Sequence, residues 1–317
     1  MPGAKLASST RGRAPTLRGG MVCNFRSPRG LSRLIVVTHF TIMKLPTVWS
    51  VFAAGLLAAL PIAWSADVPA DSGLKLGVHS WTLRNLKFEQ AVDFARNHGF
   101  KRMGLSLQFD PLAPRETLLR QKAILAENGI EGYTFGVAAT SLNKEENRRL
   151  FEAAKLMGMS LIVVEPKDFK IFDQLEELVR EYDIRIAVHN HGIRSLYGNP
   201  AVLKNILMHR DPRMGVCLDV GWVTAAGFDA AKIFREYEGR VFDIHLKDKK
   251  VEPGIGEPVA ADTFIGQGNA NLTGLLVELK KAHWQGTLAL ETDSQVFAQS
   301  PAEFVDKARV YIEKSMQ

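Results

Sequence analysis

Arg185-Ile-Ala-Val-His-Asn-His-Gly192 reads as a β-strand that ends in a metal site. Side chains alternate sides along a strand, so His189 and His191 project on the face of Ala187, side by side at the strand's carboxyl end. Gly192 follows at once, where the chain turns. Three later apolar runs close in the same way. Met214-Gly-Val-Cys-Leu-Asp-Val-Gly221 delivers Asp219, Val241-Phe-Asp-Ile-His-Leu-Lys-Asp248 delivers His245, and Thr287-Leu-Ala-Leu-Glu-Thr-Asp293 delivers Glu291. A single polar strand end is ordinary solvation; four in succession, each a metal-ligand type, are not.

Outward from these runs, strand and helix alternate from Gly73 to the C-terminus. Apolar runs predict eight strands, at Leu74–His79, Arg102–Leu107, Glu131–Val137, Ser160–Val164, Arg185–His189, Gly215–Asp219, Val241–His245 and Thr287–Glu291. Helical patterns fall at Phe88–Asn97, Glu116–Glu127, Lys144–Leu156, Phe172–Glu181, Ala201–Met208, Ala230–Tyr237, Leu272–His283 and Pro301–Glu313. In the third, Leu150, Ala153, Ala154 and Met157 share one face. Gly99, Gly129, Gly158 and Gly239 stand just past helical stretches, where glycine stops a helix. Eight βα units in one uninterrupted stretch, 73–317, predict a single-domain α/β fold, the (β/α)8 TIM barrel. A doubly wound open sheet is the other arrangement, but it gives no reason for four strand ends to converge.

In a barrel, functional groups gather at the carboxyl ends of the strands. His189, Asp219, His245 and Glu291 become the terminal inward residues of the fifth to eighth strands, able to surround one ion. Two imidazoles and two carboxylates balance a divalent cation, and mixed N/O ligation suits Mn²⁺, Co²⁺, Zn²⁺ or Fe²⁺. Other residues belong near the same mouth. His79 ends the first strand and is either a site group or a hydrogen-bonded rim histidine. Glu165 ends the fourth and is a base or a solvated carboxylate. Lys247 holds a substrate oxyanion or pairs with an acid such as Asp248. Trp81 and Trp222 stack on a sugar ring or pack the rim. Gly266-Gln-Gly268 reads as a flexible loop.

These motifs resemble the xylose isomerase-like TIM-barrel superfamily, the sugar phosphate isomerase/epimerase family. It also holds inosose dehydratase-type enzymes and endonuclease IV. The resemblance runs from Leu74 to about Ile312 and rests on Val188-His-Asn-His-Gly192, Cys217-Leu-Asp-Val-Gly221, Ile244-His-Leu-Lys-Asp248, Gly266-Gln-Gly268 and Leu290-Glu291. It implies one metal held by His189, Asp219, His245 and Glu291, with His189 standing where many members carry Glu and Trp222 where many carry His. The implied activity is metal-dependent isomerisation or epimerisation of an unphosphorylated sugar or keto-sugar, by proton abstraction next to a carbonyl. Glu291 is expected as ligand and acid/base, with His191 or Glu165 as partner. Two alternatives stand beside it: a lyase cleaving 3-keto-glycosides by β-elimination, and an exported sugar-binding barrel without turnover.

Composition fits this reading. The chain has 317 residues, 46% hydrophobic and 23% charged, as globular proteins do. Its net charge of +6 comes from the N-terminus, where residues 1–66 hold eight Lys/Arg and no acid. Without those eight of the chain's 40 bases, 32 face 34 acids, a net of −2. That balance gives no reason to expect a nucleic-acid partner; the expected partner is a small-molecule carbohydrate. Met43-Lys44, an apolar run from Val48 to Trp64 and the small residues of Ala63-Trp-Ser-Ala66 have the order of a secretory signal peptide, residues 43–66. Cleavage there leaves no stable membrane span and an exported, periplasmic protein. Residues 1–42 are a basic leader, either disordered or translated from upstream of a true start at Met43. Cys23 lies in that leader, so the mature chain keeps Cys217 alone and has no internal disulfide.

Overall fold

The computed structural model describes residues 73–316, apart from 238 and 255–258. The expected leader and signal peptide, residues 1–66, lie outside the described residues. Eight parallel strands close a barrel: β1 (Lys75–His79), β2 (Arg102–Leu105), β3 (Glu131–Ala138), β4 (Leu161–Val164), β5 (Arg185–His189), β6 (Met214–Asp219), β7 (Val241–Leu246) and β10 (Thr287–Leu290). An antiparallel pair, β8 (Asp248–Glu252) with β9 (Val259–Thr263), is inserted between the last two barrel strands. The outer helices are α1 (Phe88–Asn97), α2 (Arg115–Glu127), α3 (Lys144–Met157), α4 (Ile171–Tyr182), α5 (Pro200–Leu207), α7 (Ala230–Glu236), α8 (Leu272–Lys281) and α10 (Pro301–Met316). Two short helices, α6 (Val220–Ala225) and α9 (Gln295–Gln299), follow β6 and β10. No helix among the described residues is long and apolar enough to cross a membrane.

The expected strands and outer helices fall where the periodicity places them, within one or two residues at most ends. The expected helix stops also hold: Gly99, Gly129, Gly158 and Gly239 all have positive φ, between 65° and 82°. The inserted hairpin and the two short helices escape the sequence reading. Asp248-Lys-Lys-Val-Glu252 carries too little apolar alternation to declare a strand, and α6 and α9 are shorter than two helical turns.

Apolar burial falls into two layers. The larger core lies between strands and helices, and includes Phe100, Phe151, Phe172 and Phe304. A smaller cluster of Leu161, Val163, Ala187 and Cys217 fills the inside of the barrel. Above it the inward residues become polar. Asp219 is in register with His245, and His189 with Cys217, so the period-2 alternation stacks ligand types over the hydrophobic plug.

The Gly266–Gly268 loop is not free, as the sequence reading supposed. The Asp248 carboxylate accepts the backbone N–H groups of Gly266, Gly268 and Ala270 at 3.0, 2.8 and 3.2 Å. Asp248 therefore anchors a loop and is not the partner of Lys247.

Gly215 on β6 is the tightest backbone approach in the barrel wall. A Cβ there would stand 2.2 Å from the Arg240 carbonyl oxygen and 2.4 Å from the Phe242 ring. Gly215→Ala should cost about 1–3 kcal/mol, as overpacking does, and lower Tm by roughly 2–10 °C for a domain of this size. An unchanged melting curve would show that this wall yields freely.

Candidate active site

The four expected ligands meet in one buried cluster at the carboxyl end of the barrel. His189 Nε2 lies 3.1 Å from His245 Nδ1 and 3.5 Å from Asp219 Oδ2. His245 Nδ1 lies 2.7 Å from Glu291 Oε2. His79, from the end of β1, joins them, with Nδ1 3.1 Å from the same Glu291 oxygen. His79 is thus a member of the donor cluster and not only a rim residue. Two triads, His79–His245–Glu291 and His189–Cys217–His245, each bring one donor atom per residue within 4.8 Å of one another. Asp219 belongs to neither: its Oδ1 caps α6 at the Trp222 N–H (2.9 Å), leaving Oδ2 for the site.

Lys247 follows β7 and is fully enclosed. Its ammonium lies 3.0 Å from Asp219 Oδ2, 2.9 Å from Glu291 Oε1 and 2.9 Å from Asp293 Oδ2. Glycine makes room for it. A Cβ on Gly221 would meet Lys247 Cγ at 2.7 Å, and one on Gly104 would meet the His79 ring at 2.6 Å. Burial disfavours the Lys247 charge, but Asp219, Glu291 and Asp293 outweigh it and raise its pKa well above the usual value. Burial likewise opposes the Glu291 charge, yet His245 and Lys247 hold its carboxyl well below the ordinary range.

The two central imidazoles are pushed apart. Burial lowers the His189 pKa to about 4, with the neighbouring His245 acting in the same direction. Burial would lower His245 too, but Glu291 and Asp243 carry it up to about 9. The 3.1 Å contact between them sets a ring nitrogen of each imidazole against the other, with Glu291 on the His245 side and Asp219 on the His189 side.

These residues fit a divalent cation. Bonds of about 2.1 Å place neighbouring donors about 3.0–3.4 Å apart, and the contacts among His79, His189, His245, Asp219 and Glu291 run from 2.7 to 3.5 Å. Buried Glu291 Oε2, Asp219 Oδ2 and His79 Nδ1 face this centre without a well-directed hydrogen bond. Cys217 suits it less, because burial and Asp243 push its thiol pKa far up.

Beside the cluster, His191 Nδ1 contacts Glu165 Oε1 at 3.0 Å. Glu165 is buried, not solvated. Burial opposes its charge, but hydrogen bonds from His191 and Lys167 prevail and hold its pKa at about 2. His191 keeps 40% of its side chain exposed and lines a cavity of about 540 Å³ with His79, Trp81, His189, Lys247 and Glu291. The Trp81 indole N–H donates to Asp293 Oδ1 at 3.2 Å. Trp222 is outside that lining and lies under the Lys249 ammonium, 4.0 Å from the ring centroid.

The sequence reading missed Asp293, Asp243 and Asn190. Asp293 binds Lys247, Lys249 and Trp81. Asp243 accepts the Tyr133 hydroxyl at 3.0 Å and stands 3.7 Å from His245 Nε2. Both lie two residues from a chosen ligand, so the alternation that selected Glu291 and His245 marks them as well. Asn190 bridges to the backbone N–H and C=O of Asp219 at 2.9 and 3.2 Å, a pairing between strand ends that spacing does not show.

The family described as "Xylose isomerase-like TIM barrel" matches residues 92–314, and the chain belongs to it. Inosose dehydratase of Clostridium perfringens (strain 13 / Type A) is 23% identical over 300 residues, covering 81% of this chain and 96% of the relative. A solved protein from Parabacteroides distasonis ATCC 8503 is similar in fold, with TM-score 0.59 and 24% identity over 77% of this chain and all of that one. So is the IolI protein solved with a bound zinc atom, with TM-score 0.61 and 15% identity over 77% and 98% of the two chains. With enzymes as its relatives, the chain is an enzyme of this family.

Zn²⁺ or Mn²⁺ should bind at about one ion per chain, and His245→Ala should lose it. A ligand imidazole must give up its proton, and at pH 7 His245 lies below its pKa of about 9. Binding should therefore release protons and tighten as pH rises from 6 to 8. Calorimetry in buffers of different ionisation enthalpy reads this directly. Affinity that is flat across that range would remove His245 from the ligand set.

Proposed function

We propose that this enzyme is a metal-dependent lyase on a keto-sugar or 3-keto-glycoside, removing the proton next to the carbonyl and expelling the group β to it. The observation that carries this reading is that one acid/base pair, His191 with Glu165, stands at the cavity, while Glu291 has Oε1 on Lys247 and turns Oε2 to the donor cluster. Epimerisation needs a second proton donor on the opposite face of the reacting carbon. Glu291, expected as that group, has Oε1 on Lys247 and Oε2 on His245 and His79. The name of the inosose dehydratase relative points the same way.

In this reading His79, His189, Asp219, His245 and Glu291 hold a divalent cation. When bound, that cation supplies the Lewis acidity that stabilises negative charge on the substrate's carbonyl oxygen. Glu165 accepts from His191 Nδ1 and so sets the tautomer, leaving Nε2 to take the α-proton. The C–H pair first moves toward the carbonyl oxygen, in a step that can reverse and exchange the proton with solvent, and its return forms the C=C bond as the β-oxygen departs with its own bonding pair. The imidazolium then returns the proton to the leaving oxygen, giving an unsaturated ketone and water or an alcohol. The buried Lys247 keeps Asp219 and Glu291 in place by ion pairing.

His191→Ala should lower turnover of a 3-keto-glucoside by roughly 10²–10⁴, the worth of general-base help, with metal content kept. Deuterium uptake next to the carbonyl in D₂O should fall with it. Undiminished exchange would put the base elsewhere, and an epimer in place of an unsaturated ketone would restore the isomerase/epimerase reading.

Export belongs to the same proposal and rests on residues 43–66. Expression from Met43 should yield an exported chain shortened by roughly two dozen residues, as signal-peptide lengths imply. Intact, cell-internal protein in the mass spectrum would contradict it.

A further inference from the structure

The cavity is chemically two-sided. Its polar end is built by His79, His189, His191, Lys247, Glu291 and Asp293. Its other end is formed by the segment that follows β2, by β3 and by α3: Leu107, Phe109, Leu112, Phe135, Val137 and Leu150, with Ser106 and Asp110 as the polar residues among them. Phe109, Phe135 and Leu150 are buried at its back, and the Phe109 and Phe135 rings lie 5.4 Å apart. At the front Leu107, Leu112 and Val137 stay 68, 41 and 38% exposed, although each is a large apolar side chain. The slot therefore runs from the acid/base pair to a hydrocarbon wall that opens to solvent.

A free monosaccharide leaves that wall unexplained. At roughly 15 Å³ per heavy atom at interior packing density, a twelve-atom sugar fills about a third of the 540 Å³. Its hydroxyls would have to leave water to face Leu107, Phe135 and Val137, an unpaired burial that costs binding. A substrate that is polar at one end and apolar at the other meets both walls.

We infer that the apolar half of the cavity is a subsite for an aromatic aglycone, so that the substrate is an aryl glycoside whose sugar carries the carbonyl. The inference rests on the lyase reading, in which the β-group that leaves is the aglycone's oxygen. A planar ring fits the slot lined by Phe109 and Phe135, where aromatic contacts add to area burial. The sugar then lies over the donor cluster beside His191. The leaving oxygen falls at the junction of the two halves, within reach of the same imidazole.

The test compares 4-nitrophenyl and methyl 3-keto-glucosides with the metal-loaded protein, by calorimetric binding and by turnover. The aryl compound should bind about 10- to 100-fold tighter, the value of burying one ring, and free 4-nitrophenol should compete with it. Leu107→Asp and Leu112→Asp, both at exposed positions that the fold tolerates, should each pull the aryl-to-methyl ratio towards one, with Tm unchanged as the folding control. Equal binding of the two glycosides, or a ratio unmoved in both variants, overturns the subsite. Tight aryl binding that responds to the variants but gives no 4-nitrophenol release supports the subsite and removes the lyase reading instead.

Discussion

The site depends on an ammonium group enclosed among three carboxylates. Lys247 contacts Asp219, Glu291 and Asp293 within 3.0 Å, with nearly all of its side chain out of water. A lone charge in such a place would cost several kcal/mol of solvation. Here the ammonium is tolerable because three opposite charges surround it. That requirement reaches outward. Asp293 is held in turn by Trp81, and its backbone by Arg84 and Asp262. The loop after β1, the loop after β10 and the β8–β9 hairpin are thereby tied to one charge network.

The same enclosure explains why chemistry is divided among the residues. Glu291 has Oε1 on Lys247 and Oε2 turned into the donor cluster, which suits it to holding a cation more than to moving a proton. His191 has one nitrogen on Glu165 and a partly exposed ring, so it keeps the freedom that proton transfer needs. His245 and His189 share the floor with opposite protonation, because only one of two touching imidazoles is stabilised as a cation by Glu291 and Asp243. A divalent cation held there would replace the single charge of the His245 proton by two, with Lys247 remaining as a fixed counter-charge to the acids.

The character of the cavity wall follows from which strand ends form it. The polar ligand types come from β1, β5, β6, β7 and β10, while the β2 and β3 ends supply mostly hydrocarbon, with Ser106 and Asp110 among it. A barrel permits this because each strand end contributes independently to a common mouth. One side can therefore specialise in ions and the other in an apolar group without disturbing the wall beneath.

The amino-acid sequence by itself determined the barrel, its eight strands and the polar ends of β5, β6, β7 and β10. Those features are written in local periodicity: two residues for strands, 3.6 for helices, and glycine where a helix stops. His189, Asp219, His245 and Glu291 were legible because each ends an apolar run. Local periodicity says nothing of distance between strand ends, and so it left open which partner each group finds. That His79 reaches the Glu291 oxygen, that Lys247 sits among Asp219, Glu291 and Asp293 and not on Asp248, and that Asp248 spends its carboxylate on three loop N–H groups were decided only by the tertiary structure. The reason is physical. A charge removed from water is governed by whatever lies within a few ångströms of it, and in a closed barrel many of those neighbours come from 26 to 212 residues away in the chain.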